Sequence, residues 1–447
     1  MARAGGYWQA VRRWTRSAGP LLWLLAVLAV ISLYDAYRYP ARINAAATSP
    51  TYANTPLWLS LGKYVAILLL TSMLAYTARS RLRGRLLRST SERVLLALVA
   101  WGTAAGAVHA LVAHSTQVLR PLAAVLNVAP LILLLPAAFA GRQRLRADLE
   151  DAGLLLAFGL LLVHTAVDLA EIALWLTAGR LPALGYAGAL VRFGGIWDDP
   201  NSAGAYAALC LIVLACREIK LDWRERRVLA GSGLFVLAVS WSFSGVVMLI
   251  AGLFVLGLMQ STRRRRFLIR SAGVALILIG AAPIIALGYG HLPVVGSMLR
   301  QKVAGSVGSR QSALSHGVYL ADLPHDPLSW LVGRAHPQQN EAAIIWWLDS
   351  VGLTGTLLIA WWLYLALRCI SRSRQRDPVF ALSAAMFTGS LFVPYLATLP
   401  IGSYYVIGLG VLAAVGGEAR DSERRLEHLP APAEASARPA GYAPGPP

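Results

Sequence analysis

Negative charge is what this chain has least of. Its 447 residues carry 22 Asp and Glu against 41 Lys and Arg, and only 14% are charged at all, where a soluble domain holds about a quarter. That shortage excludes an ordinary water-facing surface. Cysteine is nearly missing: Cys210, Cys216 and Cys369 are the three, too few for a disulfide framework and without metal-ligand spacing, so they read as buried, inert thiols. No HxxxH or HxxH pair prepares the histidines for a metal on a helix. No cleavable leader is expected either. The apolar run from Leu21 to Tyr34 is followed by Tyr37, Arg38 and Tyr39, not by small residues, and is expected to remain as a first span. No internal repeat stands out, so the inverted halves of many secondary transporters are not visible.

Apolar residues are abundant instead, at 57%. Runs near the roughly 20 residues that cross hydrocarbon recur along the whole chain. Hydropathy predicts an all-α, polytopic membrane protein of about twelve spans, near 20–36, 57–77, 94–112, 121–140, 152–177, 200–216, 228–241, 243–260, 271–289, 342–367, 378–396 and 401–417. Residues 1–19 then form a basic N-terminus and 20–417 the membrane domain. Residues 418–447, rich in Ala, Pro, Glu and Arg, are expected to form a disordered tail.

The net charge of +19 does not point to nucleic acid, because the basic residues come in blocks at alternate loops: 79–93, 142–146, 217–227, 263–270 and 368–376. That is the positive-inside pattern, with the anionic inner leaflet as the partner of those charges. It places both termini in the cytoplasm. It also places one polar loop of roughly fifty residues, 290–341, on the outer side between the ninth and tenth spans.

Chemistry is expected on that outer side. In Val191-Arg192-Phe193-Gly194-Gly195-Ile196-Trp197-Asp198-Asp199-Pro200-Asn201, glycines permit close backbone approach, Pro200 suits a first helical turn, and Asp198 or Asp199 suits a cap. A span boundary with an aromatic anchor explains the same residues. Arg192 argues for more, since a guanidinium fork fits phosphate oxygens. The large loop adds Arg300, Lys302, Arg310 and Arg334 with His291, His316, His325 and His336. Asp322 and Asp326 lie beside Pro324 and Pro327, which is turn chemistry rather than a carboxylate cage. Gly333-Arg334-Ala335-His336-Pro337-Gln338-Gln339-Asn340-Glu341 leads into the tenth span, with Pro337 at a helix start. There His336 is suited to take a proton from a hydroxyl, although a surface histidine needs no role. Within the fifth span, His164, Asp168 and Glu171 share a helix face, and Asp349 lies early in the tenth. Ionisable groups so placed are paired or functional.

The order and spacing of these motifs resemble the O-antigen ligase and O-antigen polymerase superfamily of bacterial membrane glycosyltransferases. The resemblance rests on Arg192 through the Pro200-Asn201 pair, on Gly308-Ser309-Arg310, and on Gly333, His336 and Asn340 continuing to Gly352 and Gly355. Ser240-Trp241-Ser242-Phe243-Ser244-Gly245 departs from it, lacking an arginine that family members often carry beside the first serine.

The resemblance implies an inner-membrane enzyme without metal or cofactor. It would transfer a glycan from undecaprenyl pyrophosphate to a hydroxyl on the periplasmic face, with a flippase and a chain-length regulator as possible partners. Arg192, Arg310 and His336 are its implied catalytic residues. Asp198, Asp199, Asn201, Arg300, Arg334 and Asn340 are implied substrate contacts. A polymerase, whose acceptor is another lipid-linked glycan, is the reading taken. A ligase to lipid A-core is the alternative, and a transporter or a non-enzymatic assembly protein the readings from other classes.

Overall fold

A computed structural model describes residues 90–112, 143–178, 192–196, 200–216, 221–260, 327–334, 343–370 and 376–391, with isolated positions outside these segments. Eight helices fall within them: α1 (Thr90–Val112), α2 (Gln143–Ala178), α3 (Pro200–Ala215), α4 (Trp223–Ser240), α5 (Phe243–Met259), α6 (Pro327–Val332), α7 (Ala343–Ile370) and α8 (Arg376–Ser390). No strand occurs among the described residues. The all-α expectation therefore holds for them. The expected spans near 20–36, 121–140 and 401–417 lie outside them, as do most of 57–77 and 271–289, and so do the two terminal segments 1–19 and 418–447, isolated positions apart.

Local sequence explains the ends of α4 and the start of α5. Asp222 and Glu225 form a reciprocal capping box at the start of α4, Asp222 N–H donating to Glu225 Oε2 at 3.0 Å. The turn implied by the adjoining spans 228–241 and 243–260 is two residues long. Trp241 ends α4 in the left-handed region at φ 46, and Ser242 begins α5 by accepting from Gly245 N–H at 3.1 Å. Several elements differ from expectation. Helix α4 begins at Trp223 instead of near 228, and α8 ends at Ser390 instead of near 396. Helix α2 starts at Gln143, well before the apolar stretch, because Gln143, Arg144, Leu145, Arg146 and Ala147 are good helix formers and hydropathy does not register helix propensity. A short α6 also forms inside the 290–341 loop.

Helix α3 is the hub. It packs against α2, α4, α5 and α8, while α7 packs against α1, α6 and α8. Small residues make the hub possible: Ala203, Ala205, Ala207 and Ala208 are fully buried, and a Cβ on Gly204 would collide with Ser242. Backbones approach closely where side chains are this small. The antiparallel run of α2 against α3 is fixed by Tyr206, whose hydroxyl donates to Ala157 O at 2.6 Å.

Helices α3 and α5 thus start at one end of the hub, where α4 finishes. The first turn of α4, with Arg224 and Arg227 stacked over Trp223 at 5.4 and 4.6 Å, lies roughly 25 Å away at a rise of 1.5 Å per residue.

Two stretches, Thr90–His109 and Ile344–Arg368, are long and apolar enough to cross a membrane, with mean hydropathies of 1.2 and 1.6. Helix α7 breaks once within its stretch, at Gly352, where φ 67 and ψ −175 leave the helical region. Helix α7 is apolar on its outer face as well as its inner one, where Ile359, Trp362 and Leu363 are buried. Leu353, Leu357, Trp361 and Tyr364 form an exposed stripe on α7, while Asp349, Ser350 and Thr356 on the same helix are buried.

Candidate functional site

Residues 192–196 are non-helical chain laid across the end of α4, the start of α3 and the middle of α2. Phe193 N–H donates to Val239 O at 3.2 Å, in the last turn of α4. Arg192 follows with two contacts. Its Nε donates to Ser240 O at 2.9 Å, and its Nη2 donates to Asn201 Oδ1, on the first turn of α3, at 2.8 Å. A cation there satisfies a helix C-terminus, so Arg192 has a structural use. Its second partner sits at a helix N-terminus, and that is where its position becomes chemically informative.

Two helix N-termini meet at this point. Ser242, the cap of α5, donates to Asn201 O at 3.4 Å and lies 3.2 Å from the hydroxyl of Ser244. A Cβ on Gly245 would fall on the Gly204 carbonyl, so the first turns of α3 and α5 touch. Each contributes the positive end of a helix dipole. With the guanidinium beside them, the local field favours an anion.

The other end of the 192–196 segment is held by α2. Ile196 N–H donates to His164 Nδ1 at 3.2 Å, and His164 Nε2 lies 3.2 Å from Asp168 Oδ2. Both side chains are 0% exposed. Gly195 adopts φ 52, a conformation natural to glycine, and the imidazole fills the space its Cβ would need.

A second polar cluster forms where α6 meets α7. Arg334 N–H donates to Asp349 O at 2.7 Å, and Arg334 Nε lies 3.6 Å from Asp349 Oδ1. Gly333 at φ 90 and Gly352 at φ 67 let the backbones interlock: a Cβ on the first would strike Ser350, and on the second Leu331.

Of the nine residues expected at a site, the structure brings together Arg192 and Asn201. Arg334 is bound instead to Asp349, in the α6–α7 cluster. Asp198, Asp199, Arg300, Arg310, His336 and Asn340 lie outside the described residues. Among the described residues no group of three or more His, Cys, Asp or Glu is arranged to hold a metal.

Sequence reading did not anticipate the part played by Ser240 and Ser242. The alternation of serines from 240 to 244 ahead of an apolar run was the available signal, as a helix cap. Asp349 was noted only as lying near the expected surface; its pairing with Arg334 is tertiary.

No protein-family model matches this sequence, and no curated protein matches it either.

Proposed function

We propose that this chain is a multi-pass glycosyltransferase of the bacterial inner membrane. It would take a glycan from undecaprenyl pyrophosphate and join it to a hydroxyl acceptor on the periplasmic face. The observation that carries this is the placement of Arg192 between Ser240 O and Asn201 Oδ1, where the N-termini of α3 and α5 touch. Such a point suits the pyrophosphate on which negative charge develops as it departs.

The exposed apolar stripe of Leu353, Leu357, Trp361 and Tyr364 on α7 supports a hydrocarbon surrounding for a bundle of about twelve spans. The arginines of the α4 first turn lie at the opposite end from Arg192, in keeping with cytoplasmic termini and an outward-facing site. In the reaction the acceptor hydroxyl attacks the anomeric carbon and the bond to the pyrophosphate oxygen breaks. The hydroxyl proton passes to His336, and the configuration inverts. Arg192 and Arg310 hold the departing group, with Asp198, Asp199, Asn201, Arg300, Arg334 and Asn340 around the substrates. Neither metal nor nucleotide sugar takes part. Polymerisation of lipid-linked repeats is the preferred form, and ligation to lipid A-core the alternative.

One observation favours a different class. The break of α7 at Gly352, next to buried Asp349 and Ser350, is the kind of interrupted helix on which transporters build binding sites. A deletion strain separates the three. Single repeats on the core mark a lost polymerase, and bare core with polymer retained on its carrier marks a lost ligase. Unchanged surface glycan contradicts both and favours transport.

A further inference from the structure

Arg192 does not hold its own place. Its segment has no internal helical ladder, and its anchors come from three different helices. Three of those four bonds use backbone carbonyls or the adjacent Asn201. The fourth, from Ile196 N–H to His164 Nδ1, depends on a particular side chain on α2. A backbone N–H can only donate. Nδ1 must therefore present its lone pair, which assigns the ring proton to Nε2. Nε2 lies 3.2 Å from Asp168 Oδ2, close enough for the carboxylate to favour a proton on that nitrogen, though the angle falls short of a hydrogen bond. Gly195 completes the seat by leaving room for the imidazole. Burying such a pair completely, in an apolar helix where leucine would pack, is costly and calls for a purpose.

We infer that His164 and Asp168 are positioning residues for an anion site at Arg192. Asp168 holds the imidazole in its Nε2–H form, and His164 Nδ1 then anchors residues 192–196. The guanidinium is thereby kept at the joined N-termini of α3 and α5. This rests on the reading of Arg192 as a pyrophosphate-binding residue. The pair transfers no proton and touches no ligand; it acts through Ile196 and Gly195.

The test uses the full-length protein in lipid nanodiscs, with geranylgeranyl pyrophosphate as the probe and the unfolding temperature recorded for every variant. Asparagine sets an acceptor near the Nδ1 position, whereas glutamine sets its amide near Nε2. His164→Asn is expected to bind within about threefold of the parent, and His164→Gln about tenfold more weakly, at similar unfolding temperatures. Asp168→Asn keeps an oxygen facing Nε2–H and should keep most of the affinity, while Asp168→Leu should lose about tenfold. Equal affinities for His164→Asn and His164→Gln overturn the positioning role. So does an Asp168→Asn loss as deep as that of Asp168→Leu, since charge rather than an acceptor would then be the requirement. If a His164 variant does not fold, the Asp168 comparison decides, at a residue with no hydrogen bond to the segment. Arg192→Ala separates the two levels. Probe binding that survives it defeats the anion-site reading itself. Binding lost with Arg192→Ala but equal to the parent in all four other variants defeats the positioning role alone.

Discussion

Trp101 donates from its indole Nε1 to the carbonyl of Val351, 3.0 Å away and 250 residues along the chain. The bond joins α1 to α7 at the place where α7 breaks. Non-helical backbone at Gly352 interrupts the ladder, and carbonyls just before the break need donors from elsewhere. Asp349 O takes the Arg334 N–H, and Val351 O takes the indole.

Trp101→Phe keeps most of the ring but removes that donor. The expected cost is about 1–2 kcal/mol, as for a buried acceptor left unsatisfied. Thermal unfolding in detergent should show a lower midpoint. An unchanged midpoint would mean that the break needs no external donor.

Gly195→Ala asks a residue with a Cβ to adopt φ 52 directly against the His164 ring. Strain and displacement of the imidazole together should cost about 1–3 kcal/mol. The same variant should weaken any anion binding at Arg192, because it moves the segment that carries it. Unfolding midpoint and probe affinity, measured on one preparation, check both effects.

Arg192→Lys retains a positive charge but cannot bridge Ser240 O and Asn201 Oδ1 with a planar fork. Glycan transfer should fall by about tenfold or more, the equivalent of one charge-assisted hydrogen bond. Arg192→Ala should fall further. Transfer kinetics with a lipid-linked donor decide, and equal rates for Arg192→Lys and the parent would leave Arg192 as a cap for α4 only.

His336→Ala is expected to abolish transfer while the protein still inserts and folds, because the acceptor hydroxyl loses its base. Arg310→Lys should impair transfer despite its retained charge. Product analysis beside a folding control settles both. Near-normal product from His336→Ala would remove it from the mechanism.

Hydropathy was enough to place helices at 90–112, 200–215 and 243–259 close to their observed limits, because a long apolar run satisfies its own backbone best as a helix, whereas the helix at 376–390 stops six residues before the expected 396. The Trp241–Ser242 turn was legible too, since serine before an apolar run is a capping signal. The start of α2 was not, because its first turns are polar and hydropathy measures burial, not helicity.

The site divides in the same way. That Arg192 and Asn201 belong to one locality followed from their nine-residue separation and the Pro200 helix start between them. Their meeting with Ser240 and Ser242 followed from nothing local, for those serines lie some 40 residues further on and arrive only because α4 returns antiparallel to α3. His164 and Asp168 were recognisable as sharing a face of one helix. Which nitrogen faces the carboxylate, and which backbone amide the other receives, depended on Gly195 coming to rest beneath the ring. Residue types and their order along the chain determine which helices form and which chemistry is carried. Packing decides what each polar group faces, because a hydrogen bond reads distance and direction in space and takes no account of separation along the chain.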